Sequence, residues 1–188
     1  MPATPAHDEE LFREFLAGSD AAFSDIYRRH HHQLYAYCAR MLDDAAAAAD
    51  IAHQVWERMI ALRSSPTELR NPLGFMYRMA RNAALDHRKH LRYQRSIESL
   101  TESDHPQSQS HEPSAEEEIV IGCLQRLTPE KREVLVLNYY SGYSFEEIAT
   151  ILGKSPTAIY ARASRARAEL KQLVEDQLAI FAKEQQHG

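Results

Sequence analysis

Apolar residues recur at helical spacing along most of the chain, and glycine is scarce, with 6 in 188 residues. Because side chains three and four positions apart share one face of a helix, the pattern predicts an all-α protein. The first long helix follows Gly18-Ser19-Asp20, a run that favours helix initiation. Its predicted inward face consists of Phe23, Ile26, Tyr27, His30, Leu34, Tyr37, Cys38 and Met41.

Two more helices are predicted before the pattern changes. One covers about 45–62. The other begins at Asn71-Pro72, because asparagine caps helices and proline is favoured at the first helical position. Their predicted buried positions are Ala48, Ile51, Ala52, Val55 and Met59 in the first, and Leu73, Met76, Ala80, Ala84 and Leu91 in the second.

The helical pattern stops between about 96 and 115, where the sequence is rich in Ser, Gln, Pro and acidic residues. Such a composition favours a flexible linker, because it offers little apolar surface to bury. The chain therefore divides into two small helical domains, 8–95 and 116–178, joined by a flexible acidic linker, 96–115.

The second domain contains a predicted helix-turn-helix. Thr128-Pro129 starts one helix, expected to end near Gly142. Ser144 and Glu147 form a capping box for the next, which ends at Gly153. Ser155-Pro156 then starts another helix, and so tight a turn between two helices is typical of this motif.

The last of these helices has two different faces. Its buried side is predicted to be Ile159, Ala163, Ala166, Leu170 and Leu173. At about 100° per residue, the opposite side carries Tyr160, Ala161, Ser164 and Arg165, flanked by Arg162 and Arg167. Small residues allow close approach to a DNA major groove, where an arginine can contact guanine with two hydrogen bonds. The alternative is a solvated face with an Arg165–Glu169 pair.

Charge is segregated along a chain whose formal net charge is -5. Residues 70–95 carry seven Lys or Arg and one acid, and residues 153–172 carry five and one. Residues 1–60 carry ten acids and five arginines, and residues 96–118 carry seven acids and no base. Two basic segments separated by acidic sequence predict two contacts with nucleic acid.

The first basic segment forms one side of the helix that begins at Pro72. That side carries Phe75, Arg78, Arg81, Asn82, Leu85, Lys89, Arg92 and Tyr93. Aromatic rings stack on bases, arginines bind phosphates and an amide can bond to a base edge, so this face suits unpaired bases. Basic helix faces are common, however, and the alternative is that Phe75 or Tyr93 packs locally.

The preceding helix has a polar side formed by Asp50, His53, Gln54 and Glu57, with Trp56 and Ile60 beside it. A large aromatic at the edge of a polar stripe favours a protein interface, with a solvated face as the alternative.

Other features exclude several classes. No run approaches the length of a membrane span, the N-terminus lacks the features of a secretory signal, and the two cysteines are isolated. A cytoplasmic protein without membrane insertion is therefore expected. A metal enzyme is disfavoured, because His30, His31 and His32 project about 100° apart on a helix and no metal-site motif is present. We expect no catalytic residues, metal or cofactor.

These segments, in this order, resemble a bacterial RNA polymerase sigma factor of the extracytoplasmic-function group in the sigma-70 family. "DIAHQVWERM" resembles the segment that binds the polymerase beta-prime clamp, and "FMYRMARNAALDHRKH" the segment that opens and reads the minus-ten element. The stretch "LTPEKREVLVLNYYSGYSFEEIATILGKSPTAIYARASRARAELK" is similar to region four, which reads the minus-thirty-five element. The resemblance runs from about Phe23 to Leu173.

The resemblance implies roles for residues and partners. Polymerase binding falls on Asp50, His53, Gln54 and Glu57, and minus-ten contact on Arg78, Arg81, Asn82 and Lys89. Minus-thirty-five contact falls on Ser155, Thr157, Tyr160, Ala161, Arg162, Ser164, Arg165 and Arg167. The implied partners are core RNA polymerase, through its beta-prime clamp and beta flap, promoter DNA, and an anti-sigma factor, which in many relatives is membrane-bound.

The chain also departs from the family pattern. Relatives usually carry a Gln-Glu pair where His53-Gln54 stands, acidic residues where Ala45–Ala49 stand, and often a basic residue at Tyr160. A stand-alone helix-turn-helix regulator is the alternative function. It predicts a dimerisation helix and a basic surface only on the reader domain, and the second basic helix and the absence of an obvious coiled-coil heptad argue against it.

Overall fold

The computed structural model describes residues 5–42, 44–63, 69–98 and 115–185. Within these ranges the chain forms eight α-helices and no strand, which confirms the all-α prediction. The helices are α1 (Pro5–Leu16), α2 (Asp20–Leu42), α3 (Ala45–Leu62), α4 (Pro72–Glu98), α5 (Ala115–Arg126), α6 (Pro129–Tyr139), α7 (Phe145–Leu152) and α8 (Pro156–Gln185). The predicted linker lies outside the described residues except at its ends, where α4 continues to Glu98 and α5 begins at Ala115.

Helix starts follow the capping residues of the sequence. Asp44 caps α3 by accepting a bond from the Ala47 amide at 3.0 Å. The Asn71 side chain accepts from the Gly74 amide at 2.7 Å. Ser144 and Glu147 form the predicted capping box of α7, and Gly153 ends that helix with φ of 61°. These bonds satisfy amides that have no partner within the helix.

Two helix boundaries differ from prediction. The α6 helix ends at Tyr139, before the predicted Gly142, which lies in the following turn with φ of 76°. The α1 helix was not predicted at all. It buries Leu11, Phe12 and Phe15 in the core and forms a 3.0 Å ion pair between Asp8 and Arg29 of α2.

Helices α1 to α4 form the N-terminal half, in which the predicted core of α3 is buried as expected. Trp56 is also buried, with 4% of its surface exposed, and its ring lies 5.0 Å from that of Tyr27. The position of Trp56 beside a surface stripe was therefore predicted wrongly. Tyr27, predicted to be buried, is 38% exposed, because it covers the edge of the tryptophan instead of entering the core.

Helices α5 to α8 form the C-terminal half, which packs directly on the N-terminal half. Contacts join α2 to α6 and α4 to α7. One apolar core runs through both halves, and it includes Tyr77 of α4, Ile148 and Ile151 of α7, and Tyr143. The two halves are thus joined by a shared core as well as by polar bonds.

Candidate protein and nucleic-acid interfaces

The α8 helix buries its alanine-rich side and exposes its polar side. Ser155 accepts a bond from the Ala158 amide at 3.3 Å and so caps the helix start. Ile159, Ala163 and Ala166 are fully buried. We call the predicted minus-thirty-five residues the α8 face: Ser155, Thr157, Tyr160, Ala161, Arg162, Ser164, Arg165 and Arg167. All are exposed except Arg162, which is half-buried.

The arginines of the α8 face have different surroundings. Arg165 is exposed, and Glu169, its alternative partner in the sequence, forms an ion pair with Lys131 of α6. The Arg167 guanidinium lies 5.2 Å from the centre of the Phe145 ring. Arg162 lies near enough to Glu133 for its positive charge to oppose the rise that burial causes in the pKa of that carboxyl group. Of the three, Arg165 is the one whose surroundings leave it directed to solvent.

The start of α7 adds two residues to this surface that the sequence did not indicate. The Tyr160 hydroxyl donates a hydrogen bond to Glu146 at 2.6 Å. The Phe145 ring meets the Tyr160 ring edge-on, with centroids 4.9 Å apart. Phe145 therefore contacts both Tyr160 and Arg167.

The predicted minus-ten residues form the α4 face: Arg78, Arg81, Asn82 and Lys89. Arg78 and Asn82 are exposed, and the Arg78 guanidinium lies 5.9 Å from the Phe75 ring centre. Lys89 pairs with Asp86 at 3.2 Å. Arg81 is only 30% exposed, because it reaches Glu130 and Glu133 of α6, each at 3.4 Å.

The predicted polymerase-binding residues form the α3 face: Asp50, His53, Gln54 and Glu57. All four are exposed on one side of α3, and His53 lies 3.2 Å from Glu57 one turn away. The helix begins with five alanines, so its start presents little side-chain volume. The α3 face is thus an exposed surface with two acidic side chains, Asp50 and Glu57.

Glu133 of α6 lies buried where the two halves meet. It accepts a bond from the Tyr37 hydroxyl of α2 at 3.0 Å and lies 3.4 Å from Arg81 of α4. Burial raises the pKa of Glu133, although the Arg81 charge and the Tyr37 bond oppose that rise. The Glu133 carboxylate thus binds Arg81, one of the four residues of the α4 face.

A second polar cluster at this junction surrounds the Tyr143 hydroxyl. It donates to Gln33 at 3.0 Å, accepts from Tyr77 at 3.3 Å and lies 3.1 Å from His30 Nδ1. Burial raises the pKa of Tyr143, so its proton is retained at neutral pH. Tyr143 therefore belongs to the scaffold, since it has no exposed polar atom to offer a ligand.

The residues that the structure describes form neither a metal site nor a membrane-spanning helix. Among them, no three His, Cys, Asp or Glu side chains converge as a metal site would require. His87 of α4 lies 3.6 Å from a single carboxylate, that of Asp44. No helix in the described ranges combines the length and apolar character needed to cross a membrane.

This chain is similar to known sigma factors and to two regions of the sigma-70 family. Residues 26–95 match the family Sigma-70 region 2, and residues 117–170 match Sigma-70, region 4. RNA polymerase sigma factor CarQ of Myxococcus xanthus is 31% identical over 168 residues, which cover 88% of this chain and 94% of CarQ. ECF RNA polymerase sigma factor SigL of Mycobacterium tuberculosis is 28% identical over 153 residues, covering 78% and 85%.

Solved structures show the same fold. CnrH, solved in complex with the cytosolic domain of CnrY, superposes with a TM-score of 0.62 at 22% identity, over 90% of this chain and 97% of that one. The sigma factor RpoE of Bartonella quintana, solved with the anti-sigma factor NepR, gives 0.60 at 21% identity, over 81% and 96%. The region 2 match precedes the region 4 match in this chain, and the alignment with CarQ covers 94% of CarQ. This chain belongs to the sigma-70 family of bacterial RNA polymerase sigma factors, in the extracytoplasmic-function group.

Proposed function

We propose that the α3 face binds core RNA polymerase, the α4 face contacts the minus-ten element and the α8 face contacts the minus-thirty-five element. As a sigma factor, the chain directs promoter-specific transcription. The observation that supports this assignment of faces is the presence of two exposed basic helix faces, one on each half, within the regions that match sigma regions two and four. Transcription reconstituted with core polymerase on genomic promoter fragments tests it.

Each residue of the α4 face suits contact with single-stranded promoter DNA. The exposed Asn82 amide can both donate to and accept from a base edge, whereas Arg78, Arg81 and Lys89 carry charge for phosphates. The carboxylates that bind Arg81 are attached to the C-terminal half, so Arg81 becomes available when that half moves away.

Use of both DNA faces requires the two halves to separate. The minus-ten and minus-thirty-five elements are about 25 base pairs apart, or about 85 Å along B-DNA. In the structure α4 packs directly on α7, so the two faces cannot span that distance. The packed arrangement therefore represents the unbound protein, and promoter engagement follows its opening.

Several finer assignments belong to this proposal. Sigma region two corresponds to 8–95, the linker to 96–115 and sigma region four to 116–178. The protein acts in the bacterial cytoplasm as a non-enzymatic factor and contacts the beta-prime clamp and the beta flap. An anti-sigma factor is a further expected partner, since the similar RpoE was solved with one. Co-purification from cells of a bacterium that carries the chain would identify it.

Charge reversal on the α3 face should weaken polymerase binding. Asp50→Lys combined with Gln54→Lys places two ammonium groups on a surface whose present charge is acidic, and both positions are exposed, so folding is preserved. We expect the affinity for core polymerase to fall at least about tenfold, the size of a charge-complementarity effect at an interface. Co-purification and fluorescence binding measure the change.

The matched control carries Glu9→Lys with Glu14→Gln on α1, which raises the net charge by the same three units at exposed positions elsewhere. It should bind as the unmodified protein does. Equal affinity for the α3 variant and the control would refute the assignment of this face.

The three arginines of the α8 face should have different effects on DNA binding. Arg165→Ala should alter which minus-thirty-five sequences the holoenzyme prefers, by about 1–3 kcal/mol at one base pair. Arg167→Ala and Arg162→Ala should instead weaken all promoters evenly and reduce the salt dependence. Binding to single-base promoter variants at two salt concentrations separates the outcomes.

Lys171→Ala is the control for that series, because Lys171 is an exposed base on the same helix, paired with Glu175, beyond the α8 face. Uniform and equal losses for Arg162, Arg165 and Arg167 would mean that Arg165 binds only phosphate.

A further inference from the structure

Tyr160 lies near the start of α8, on the exposed flank next to α7, and its orientation is fixed by contacts from α7. Its ring packs edge-on against Phe145, 4.9 Å between centroids, and its hydroxyl bonds to Glu146 at 2.6 Å. The side chain is nevertheless 46% exposed, so ring and oxygen are accessible to a ligand lying against α8. Two contacts from a second helix restrict both the ring and the hydroxyl rotation.

The proton of this hydrogen bond belongs to the tyrosine. The Tyr160 hydroxyl bond lowers the pKa of Glu146, and the same bond raises the pKa of Tyr160. At neutral pH the pair therefore consists of a carboxylate, which can only accept, and a phenol, which donates to it. The phenol has one proton, and the carboxylate holds it.

A hydroxyl whose proton is already engaged can still accept, through the lone pairs that remain on its oxygen. In the major groove, the groups that can donate to it are the N6 amino group of adenine and the N4 amino group of cytosine. The other polar groups there, O6 and N7 of guanine, O4 of thymine and N7 of adenine, are acceptors that such an oxygen disfavours.

We propose that Glu146 is a specificity-determining positioning residue, which fixes the Tyr160 hydroxyl as a hydrogen-bond acceptor and thereby makes the α8 face select a base that presents an amino group. This proposal rests on the proposed function of the α8 face. Glu146 itself need not contact DNA. It acts by holding the Tyr160 hydroxyl proton, so that the oxygen is left to accept a hydrogen bond from the base.

The test compares holoenzymes reconstituted with the unmodified chain, Tyr160→Phe, Glu146→Ala, Glu146→Gln and the double variant Glu146→Ala/Tyr160→Phe. Each is measured on a panel in which every base pair of the minus-thirty-five element is substituted in turn. Tyr160→Phe should reduce the preference for adenine or cytosine at one position by about 3- to 10-fold, the loss of one hydrogen bond.

Glu146→Ala should lower the preference at that same position, because the freed hydroxyl can then donate to guanine or thymine as well. The double variant should match Tyr160→Phe and show no further loss, since both act through one oxygen. Glu146→Gln should keep the preference, because its amide oxygen still accepts the phenol proton, while it removes the negative charge.

Other outcomes would overturn the proposal. If Glu146→Ala and Glu146→Gln both strengthen binding evenly across the panel, Glu146 acts only as a charge that repels phosphate. If Tyr160→Phe changes nothing while Arg165→Ala alters the preferred sequence, the α8 face reads DNA without Tyr160, and this inference alone fails. If no α8 variant affects any promoter, the proposed function of the face fails with it.

Discussion

Replacing Gly74 with alanine should separate the two halves of the protein while leaving each half folded. An alanine Cβ at this position would lie 2.5 Å from the Ile151 carbonyl oxygen, and closer still to Nδ2 of the Asn71 side chain. The Asn71 side chain can rotate, although it would lose its 2.7 Å bond to the Thr150 carbonyl. The Ile151 oxygen is backbone within α7, so the clash is relieved by moving the C-terminal half.

The same substitution does not weaken α4, because alanine is favoured over glycine in helices by about 1 kcal/mol. Separation is measured as an increased radius of gyration in small-angle X-ray scattering, and as longer distances between spin labels at Ser24→Cys and Gln172→Cys, both exposed positions. The native thiols do not interfere, because both are buried, and burial raises the pKa of Cys38 to about 12.

Gly122→Ala is the matched control, because Gly122 lies within α5 and an added Cβ there meets nothing within 4 Å. It should leave scattering and label distances unchanged. Since promoter engagement requires open halves, Gly74→Ala should also engage promoter DNA faster. Unchanged dimensions in the Gly74 variant, with circular dichroism preserved, would show that the junction accommodates a methyl group and that our account of it is wrong.

Local features of the structure were predictable from sequence because their causes are local. Ser19, Asn71-Pro72 and the Ser144/Glu147 box begin helices through bonds made within one turn. Gly153 ends α7 because a positive φ suits glycine. The spacing of Ile159, Ala163 and Ala166 similarly placed them in the core and left Tyr160 and Arg165 outside.

Contacts between segments that are distant in the sequence leave no local sequence pattern from which they could be predicted. Glu133 and Arg132 appear in the sequence as two of the charges in "PEKREV", yet both are buried, because the N-terminal half covers them. The Glu146–Tyr160 bond joins residues of two helices whose crossing is set by the turn at Gly153. The α1 helix was missed although Leu11, Phe12 and Phe15 have helical spacing, because its polar start resembles a disordered tail.

Arg132 should be the side chain whose loss destabilises this protein most. Only 1% of it is exposed, and its guanidinium donates to the carbonyls of Leu124 at 2.8 Å, Gln125 at 2.6 Å and Leu127 at 3.1 Å. It also donates to the Met41 carbonyl at the end of α2, at 3.1 Å. One planar group therefore satisfies the end of α5 and joins it to the other half, which suits the five-donor fork of arginine.

Arg132→Met keeps the side-chain length and removes every donor. The Leu124 carbonyl keeps its bond from the Leu127 amide at 3.2 Å, but the carbonyls of Met41, Gln125 and Leu127 lose the bond from Arg132. Each buried carbonyl left without a partner costs about 1–3 kcal/mol, and this loss outweighs what is regained by no longer burying a charge. We expect the free energy of unfolding to fall by about 3 kcal/mol or more. Urea denaturation followed by circular dichroism measures it.

Arg126→Met, at an exposed position on α5, is the control and should change the midpoint little. Arg132→Lys should be intermediate, because one ammonium group cannot reach carbonyls on two sides at once. A midpoint for Arg132→Met equal to that of the control would mean that these four bonds contribute no net stability.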